Sequence, residues 1–116
     1  MKINQVKGVF ILDTGASNSC IDQKLIAYFQ LNTPTGNHQT ASASDHQLTA
    51  SMSNNNQIQI GRYKNNNFHC MVMNLDTVNI ALAQYKCKPV HGILGADLLI
   101  ESNAIIDYEN NLLLLK

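Results

Sequence analysis

Phe10-Ile11-Leu12-Asp13-Thr14-Gly15-Ala16-Ser17 decides how the rest of this chain is read. Four apolar residues, Val9 to Leu12, run directly into an acidic one, and the chain then turns at a glycine. A short apolar run bounded by a turn reads as a buried strand. Asp13 at its end is expected to lie deep, where an ionised carboxylate is costly unless paired or hydrogen-bonded. Gly15 permits close backbone approach or a positive φ. Asp13 therefore reads as a carboxylate held by a tight loop, not one solvated on a surface.

Outward from this stretch, Met1 to Gln5 reads as a short strand and Lys7-Gly8 as a turn. Ser17 to Ile21 alternates small polar and apolar residues, as a strand does. Asp22 is expected to cap a helix over 23–30, with Leu25, Ile26 and Phe29 on one face. Pro34 and Gly36 break it. His38 to Ser53 is polar and is expected to form a hairpin around Ser44-Asp45-His46. Asn54-Asn55-Asn56 and the Asn-rich residues 64–67 read as turns, flanking strands at 57–60 and 68–73. Asp76 or Thr77 is expected to cap a helix over 77–86, with Val78, Ala81, Leu82 and Tyr85 on its apolar face. Val90 to Leu94 is a strand, Gly95 opens a turn, and Asp97 is expected to cap a short helix, Leu98 to Ser102. Strands at 104–108 and 112–115 close the chain. Four consecutive leucines are expected to be covered on both faces. Tyr108 is assigned to packing.

The chain has 116 residues and no net charge, with an isoelectric point near 6.9. One domain over residues 1–116 is expected. The charge balance gives no reason to expect nucleic acid or an acidic membrane surface as partner. The longest apolar runs fall far short of a membrane span, and Met1 to Gln5 has no apolar core of a signal peptide. The short start before Gly8 fits excision from a longer precursor. Cys20, Cys70 and Cys87 are scattered, odd in number and lack metal-ligand spacing, so they read as reduced and mostly buried. His38, His46, His69 and His91 show no ligand spacing either. No metal is expected.

Two motifs carry a resemblance. Asp13-Thr14-Gly15-Ala16-Ser17 after an apolar strand resembles the active-site loop of the retropepsin-like aspartic proteases. His91-Gly92-Ile93-Leu94-Gly95-Ala96-Asp97-Leu98-Leu99 is similar to that family's hydrophobic–hydrophobic–Gly motif, which a short helix follows. Their order and separation fit a single-domain member, the resemblance covers nearly the whole chain, and Ser17 and Ala96 make the pattern look more like the cellular or bacterial branch. The resemblance implies an all-β fold with short helices, an acid-protease half-barrel, in which the strands ending at Leu12 and Leu94 pack side by side.

It also implies an aspartic endopeptidase without cofactor, since water is the nucleophile. Such hydrolysis needs one carboxyl group to accept a proton and another to give one. A chain with one Asp-Thr-Gly must borrow the second, so a homodimer is expected. Its two Asp13 groups would share a proton and titrate as a coupled pair. By resemblance, Asp13, Thr14 and Gly15 are catalytic, with Thr14 bonding across the dimer and Gly15 lending backbone to the substrate. Ala16 lies beside the pair. Ala43, Ser44, Asp45 and His46 form the tip of a substrate-covering flap, and His91 and Ile93 line side-chain subsites. An extended peptide or protein is the expected substrate, and the Leu112–Leu115 strand supplies apolar surface for the dimer. Asp97 and Asp107 are not expected to be catalytic. The retroviral branch commonly pairs an Asp and an Arg at the positions held here by Ser17 and Ala96, and the glycine-rich flap tip of retroviral enzymes is also absent. The alternative reading is a weak or inactive domain of the same fold serving as a dimeric peptide-binding or scaffold module. A small β-domain with an accidental Asp-Thr-Gly is a third, which a dimer would exclude.

Overall fold

The computed structural model describes residues 1–32 and 50–116. The strands are β1 (Lys2–Ile3), β2 (Val6–Lys7), β3 (Phe10–Leu12), β4 (Cys20–Asp22), β5 (Ser51–Ile60), β6 (Tyr63–Met73), β7 (Gly92–Leu94), β8 (Ile105–Asp107) and β9 (Leu112–Leu114). The helices are α1 (Asp76–Gln84) and α2 (Ala96–Glu101), with one 3-10 turn at Gln23–Leu25. A seven-stranded sheet runs β2-β1-β5-β6-β4-β7-β3, and β8 and β9 form a separate hairpin. The architecture is all-β with short helices, as expected.

The core lies against one side of the sheet. Ile3, Ile21, Phe29 and Ile58 are fully buried, and Phe68, Cys70, Val72, Leu94 and Leu98 pack with them. The alternation Phe68, Cys70, Val72 along β6 places all three inward, following the two-residue period of a strand. Each fully buried large apolar side chain contributes about 1.5–3 kcal/mol.

Both asparagine runs were expected as turns, and both lie inside strands. The real β5–β6 turn is Gly61-Arg62, with Ile60 opposite Tyr63 and Gly61 at φ 58°. Ser53 faces Cys70 and Asn56 faces Phe68, so β5 carries an extra residue at 54–55, where Asn55 takes φ 60°. Ile58 then faces Asn65, so β6 carries a compensating extra residue at 66–67. A single slip would turn every later side chain to the opposite face; the second bulge restores the register.

Asn56, fully buried, is held at the first bulge by a complete set of partners. Its Oδ1 accepts from Asn4 Nδ2 (3.1 Å) and Asn32 N (3.0 Å). Its Nδ2 donates to Ser53 Oγ (2.8 Å) and to Phe68 O (3.5 Å). Asn32 Nδ2 in turn donates to the carbonyls of Asn54 and Asn55.

Other expectations need correction. The helix expected over 23–30 is only the 3-10 turn followed by looser turns, ended by Gln30 at φ 52°. Its cap is right: Asp22 Oδ1 accepts from Lys24 N at 3.2 Å. The cap of α1 is Leu75, not Asp76 or Thr77, and the carboxamide of Asn74 accepts from Asp76 N at 2.7 Å. Tyr85 lies past the helix end and is 80% exposed, because Lys86 at φ 60° turns the chain away. What ties α1 down is polar: Asn79 bonds the N–H and the carbonyl of Val90. Tyr108, at the tip of β8–β9, is exposed rather than packed into the core. Leu112 and Leu114 are about half exposed, because among the described residues no third strand covers this hairpin. Residues 33–49, which hold most of the expected hairpin and all of its tip, lie outside the described residues.

Candidate active site

β3 and β7 run parallel, with Phe10 opposite Gly92, Ile11 opposite Ile93 and Leu12 opposite Leu94. The two motifs therefore leave the sheet together, as the resemblance implied. Asp13 N donates to Leu94 O at 2.9 Å, and Ala96 N donates to Ala16 O at 2.7 Å. Gly95 makes this approach possible: a Cβ there would sit 2.6 Å from Ala16 O and 3.0 Å from the Asn18 backbone. Gly92 is equally constrained, with Cys20 O only 2.4 Å from its would-be Cβ.

Within the first loop, Asp13 Oδ1 accepts from Gly15 N at 2.9 Å, and Asp13 O accepts from Ala16 N at 3.2 Å. Gly15 thus serves as a donor and does not take positive φ. The expectation of a deeply placed Asp13 fails for the single chain. Asp13, Thr14 and Gly15 are all exposed, because β3 is the outermost strand and its end opens to solvent beside Leu12, itself 39% exposed.

The remaining expected site residues divide. Ala16 is half-buried beside Asp13, and Ile93 is half-buried on β7 between Ile11 and Cys20. His91 stands at the opposite end of the parallel pair from Asp13. Its Nδ1 accepts from Val9 N at 2.9 Å, and its ring stacks on Tyr28 with centroids 5.8 Å apart. Ala43, Ser44, Asp45 and His46 lie outside the described residues.

Sequence reasoning missed Ser19 and misplaced Asp97. Asp97 does not cap α2; Gly95 does, with extended backbone and no side chain. The Asp97 carboxylate reaches instead to Ser19, accepting from its N–H and its hydroxyl. The residues are 78 positions apart in sequence, so no local spacing reveals the contact.

Burial pushes the Cys20 thiol up and the Cys70 thiol to about 12, while Cys87 is exposed; all three are free. The Lys24 ammonium beside Asp76 holds that carboxyl low, and the Asn110 side chain, then its backbone N–H, does the same for Asp107. Among the described residues, no three His, Cys, Asp or Glu side chains gather as a metal site, and no helix is long and apolar enough to cross a membrane.

A family model described as aspartyl protease matches residues 1–98. No curated protein matches the sequence. Among solved structures, the chain is similar to the retroviral protease-like domain of Ddi1 from Leishmania major. The TM-score is 0.69 at 16% identity, over 99% of this chain and 83% of that one. That likeness shows the retropepsin-like fold.

Proposed function

Because this chain belongs to the aspartyl protease family, we propose that it is an aspartic endopeptidase whose centre forms when the Asp13 carboxylates of two copies meet across a twofold axis. The observation that supports this reading is the state of Asp13. Its carboxylate is exposed, and among the described residues its one partner is Gly15 N. Every other described aspartate is engaged elsewhere: Asp22 with Lys24 N, Asp76 with Lys24 Nζ, Asp97 with Ser19, Asp107 with Asn110. On this reading the second carboxylate comes from a second copy.

Two carboxylates in contact share one proton, since both cannot ionise side by side. The ionised one takes a proton from water, and the protonated one gives its proton to the peptide carbonyl oxygen as water attacks the carbon. The resulting diol collapses, the carbon–nitrogen bond breaks, and the leaving nitrogen takes up a proton. Thr14 bonds beneath the pair, and Ala16 and Ile93 contact an extended substrate.

The test is cleavage of an unfolded protein from acid to neutral pH, with Asp13→Asn alongside and the dimer measured by sedimentation. Cleavage by the parent and none by an equally dimeric Asp13→Asn is the expected result. A dimer that binds the unfolded chain but cleaves at no pH would instead be a scaffold module.

A further inference from the structure

Asp97 accepts more hydrogen bonds than its place on α2 requires. Oδ2 accepts from Ser19 N at 2.9 Å, and Oδ1 accepts from Ser19 Oγ at 2.7 Å and from Leu98 N at 2.8 Å. Having donated its proton to Asp97, the Ser19 hydroxyl presents a lone pair to Gly95 N, which donates to it at 2.9 Å. Ser19 is fully buried. Among the described residues the one ion pair is Lys24 with Asp76, so these three donors are what meets the Asp97 charge.

The arrangement is directional. Only a group that accepts at both oxygens satisfies donors on both sides, which a carboxylate does and a carboxamide does not. The carboxylate sets the orientation of the Ser19 hydroxyl, and that orientation sets where Gly95 N–H can dock. Together with Asp13 N on Leu94 O and Ala96 N on Ala16 O, it ties the first loop to the second turn at its beginning, middle and end. Ser17 and Ala96 carry no charges to do this.

We propose that Asp97 is a positioning residue for Asp13, acting through Ser19: it holds the loop 13–19 against the second turn so that the carboxylate stands where its twofold partner can meet it. This rests on the peptidase reading above. The consequence falls on kcat, since displacing a reacting group by about 1 Å costs on the order of 100-fold.

The experiment compares Ser19→Ala, Ser19→Thr, Asp97→Asn and the double variant Ser19→Ala/Asp97→Asn, with the surface change Lys24→Ala as control. It reads kcat and KM on a peptide substrate, dimer content, and amide exchange over residues 13–19. Ser19→Ala and Asp97→Asn are each expected to lower kcat about 10- to 100-fold at nearly constant KM and dimer content. The double variant is expected to be no worse than the poorer single, as for two residues acting as one unit. Ser19→Thr restores the hydroxyl and most of the rate. Should Asp97→Asn not fold, Ser19→Ala, which removes one oxygen, carries the comparison. Unchanged kcat, or a loss that follows only the loss of folded dimer, overturns the role. A parent that cleaves nothing overturns the peptidase reading instead. The exchange data then decide: faster exchange at Gly15 and Ala16 upholds the tie, and unchanged protection overturns it.

Discussion

Gly95 has no side chain because Ala16 O occupies the space one would take, 2.6 Å from its would-be Cβ. Backbone cannot rotate away as a side-chain tip can, so Gly95→Ala must push the Asp13 loop outward. We expect it to lower stability by about 1–3 kcal/mol and to abolish cleavage, read by thermal denaturation and peptide assay. The thiols make a second case. The folded chain holds the Cys70 proton to about 12, whereas an exposed thiol gives it up near 9.0. Between those values the unfolded state binds fewer protons than the folded one, so stability is complete below pH 9 and falls as pH rises through the window. Urea midpoints from pH 7 to 10 should show that fall, and Cys70→Ala should lessen it, with buried Cys20 contributing a remainder of the same sign. At pH 8 a thiol reagent should modify exposed Cys87 first, with Cys20 and Cys70 protected. Asp13 and Gly95 were legible in the sequence because each follows an apolar strand and carries a distinctive residue at the turn. The Ser19–Asp97 tie was not, because Asp97 reads locally as a helix cap and only the parallel β3–β7 pairing brings it to Ser19.

At the level of elements, the two asparagine runs show where composition misleads. Asparagine is favoured in turns because it tolerates the left-handed region, and one kind of β-bulge uses the same conformation. Asn55 at φ 60° is a bulge residue, while the true turn needs only Gly61-Arg62. Alternation at Phe68, Cys70 and Val72 was legible because each buries on one face. The interrupted pairing around Asn54–Asn56 was not, because the alternation resumes only after the second bulge. Asn55→Gly should be neutral or slightly stabilising, and Asn55→Ala should cost about 1–2 kcal/mol, measured by chemical denaturation. Equal costs would mean that the left-handed backbone is not what selects Asn55. The helices repeat the lesson: the apolar spacing in α1 was read correctly as a helix, but the helix attaches through Asn79 to Val90 and buries no residue fully.

For the whole molecule, the unfinished surface is the β8–β9 hairpin. Ile105, Leu112 and Leu114 are each about half exposed, and Tyr108 is 80% exposed. On the proposed dimer these side chains are covered by the second copy through a self-complementary patch. Leu112→Lys with Leu114→Lys should leave a folded monomer without peptidase activity; sedimentation and circular dichroism read the two halves of that statement. A variant that remains dimeric would place the interface elsewhere. The position of β3 at the outer edge of the sheet has one more consequence. If each copy brings one Asp13 to a shared seam, a copy that cannot contribute also disables the copy it pairs with. Mixing parent with Asp13→Asn and allowing exchange should then make activity follow the square of the parent fraction rather than the fraction itself. In a cell holding both forms, the defective one would act as a poison and not as a mere diluent.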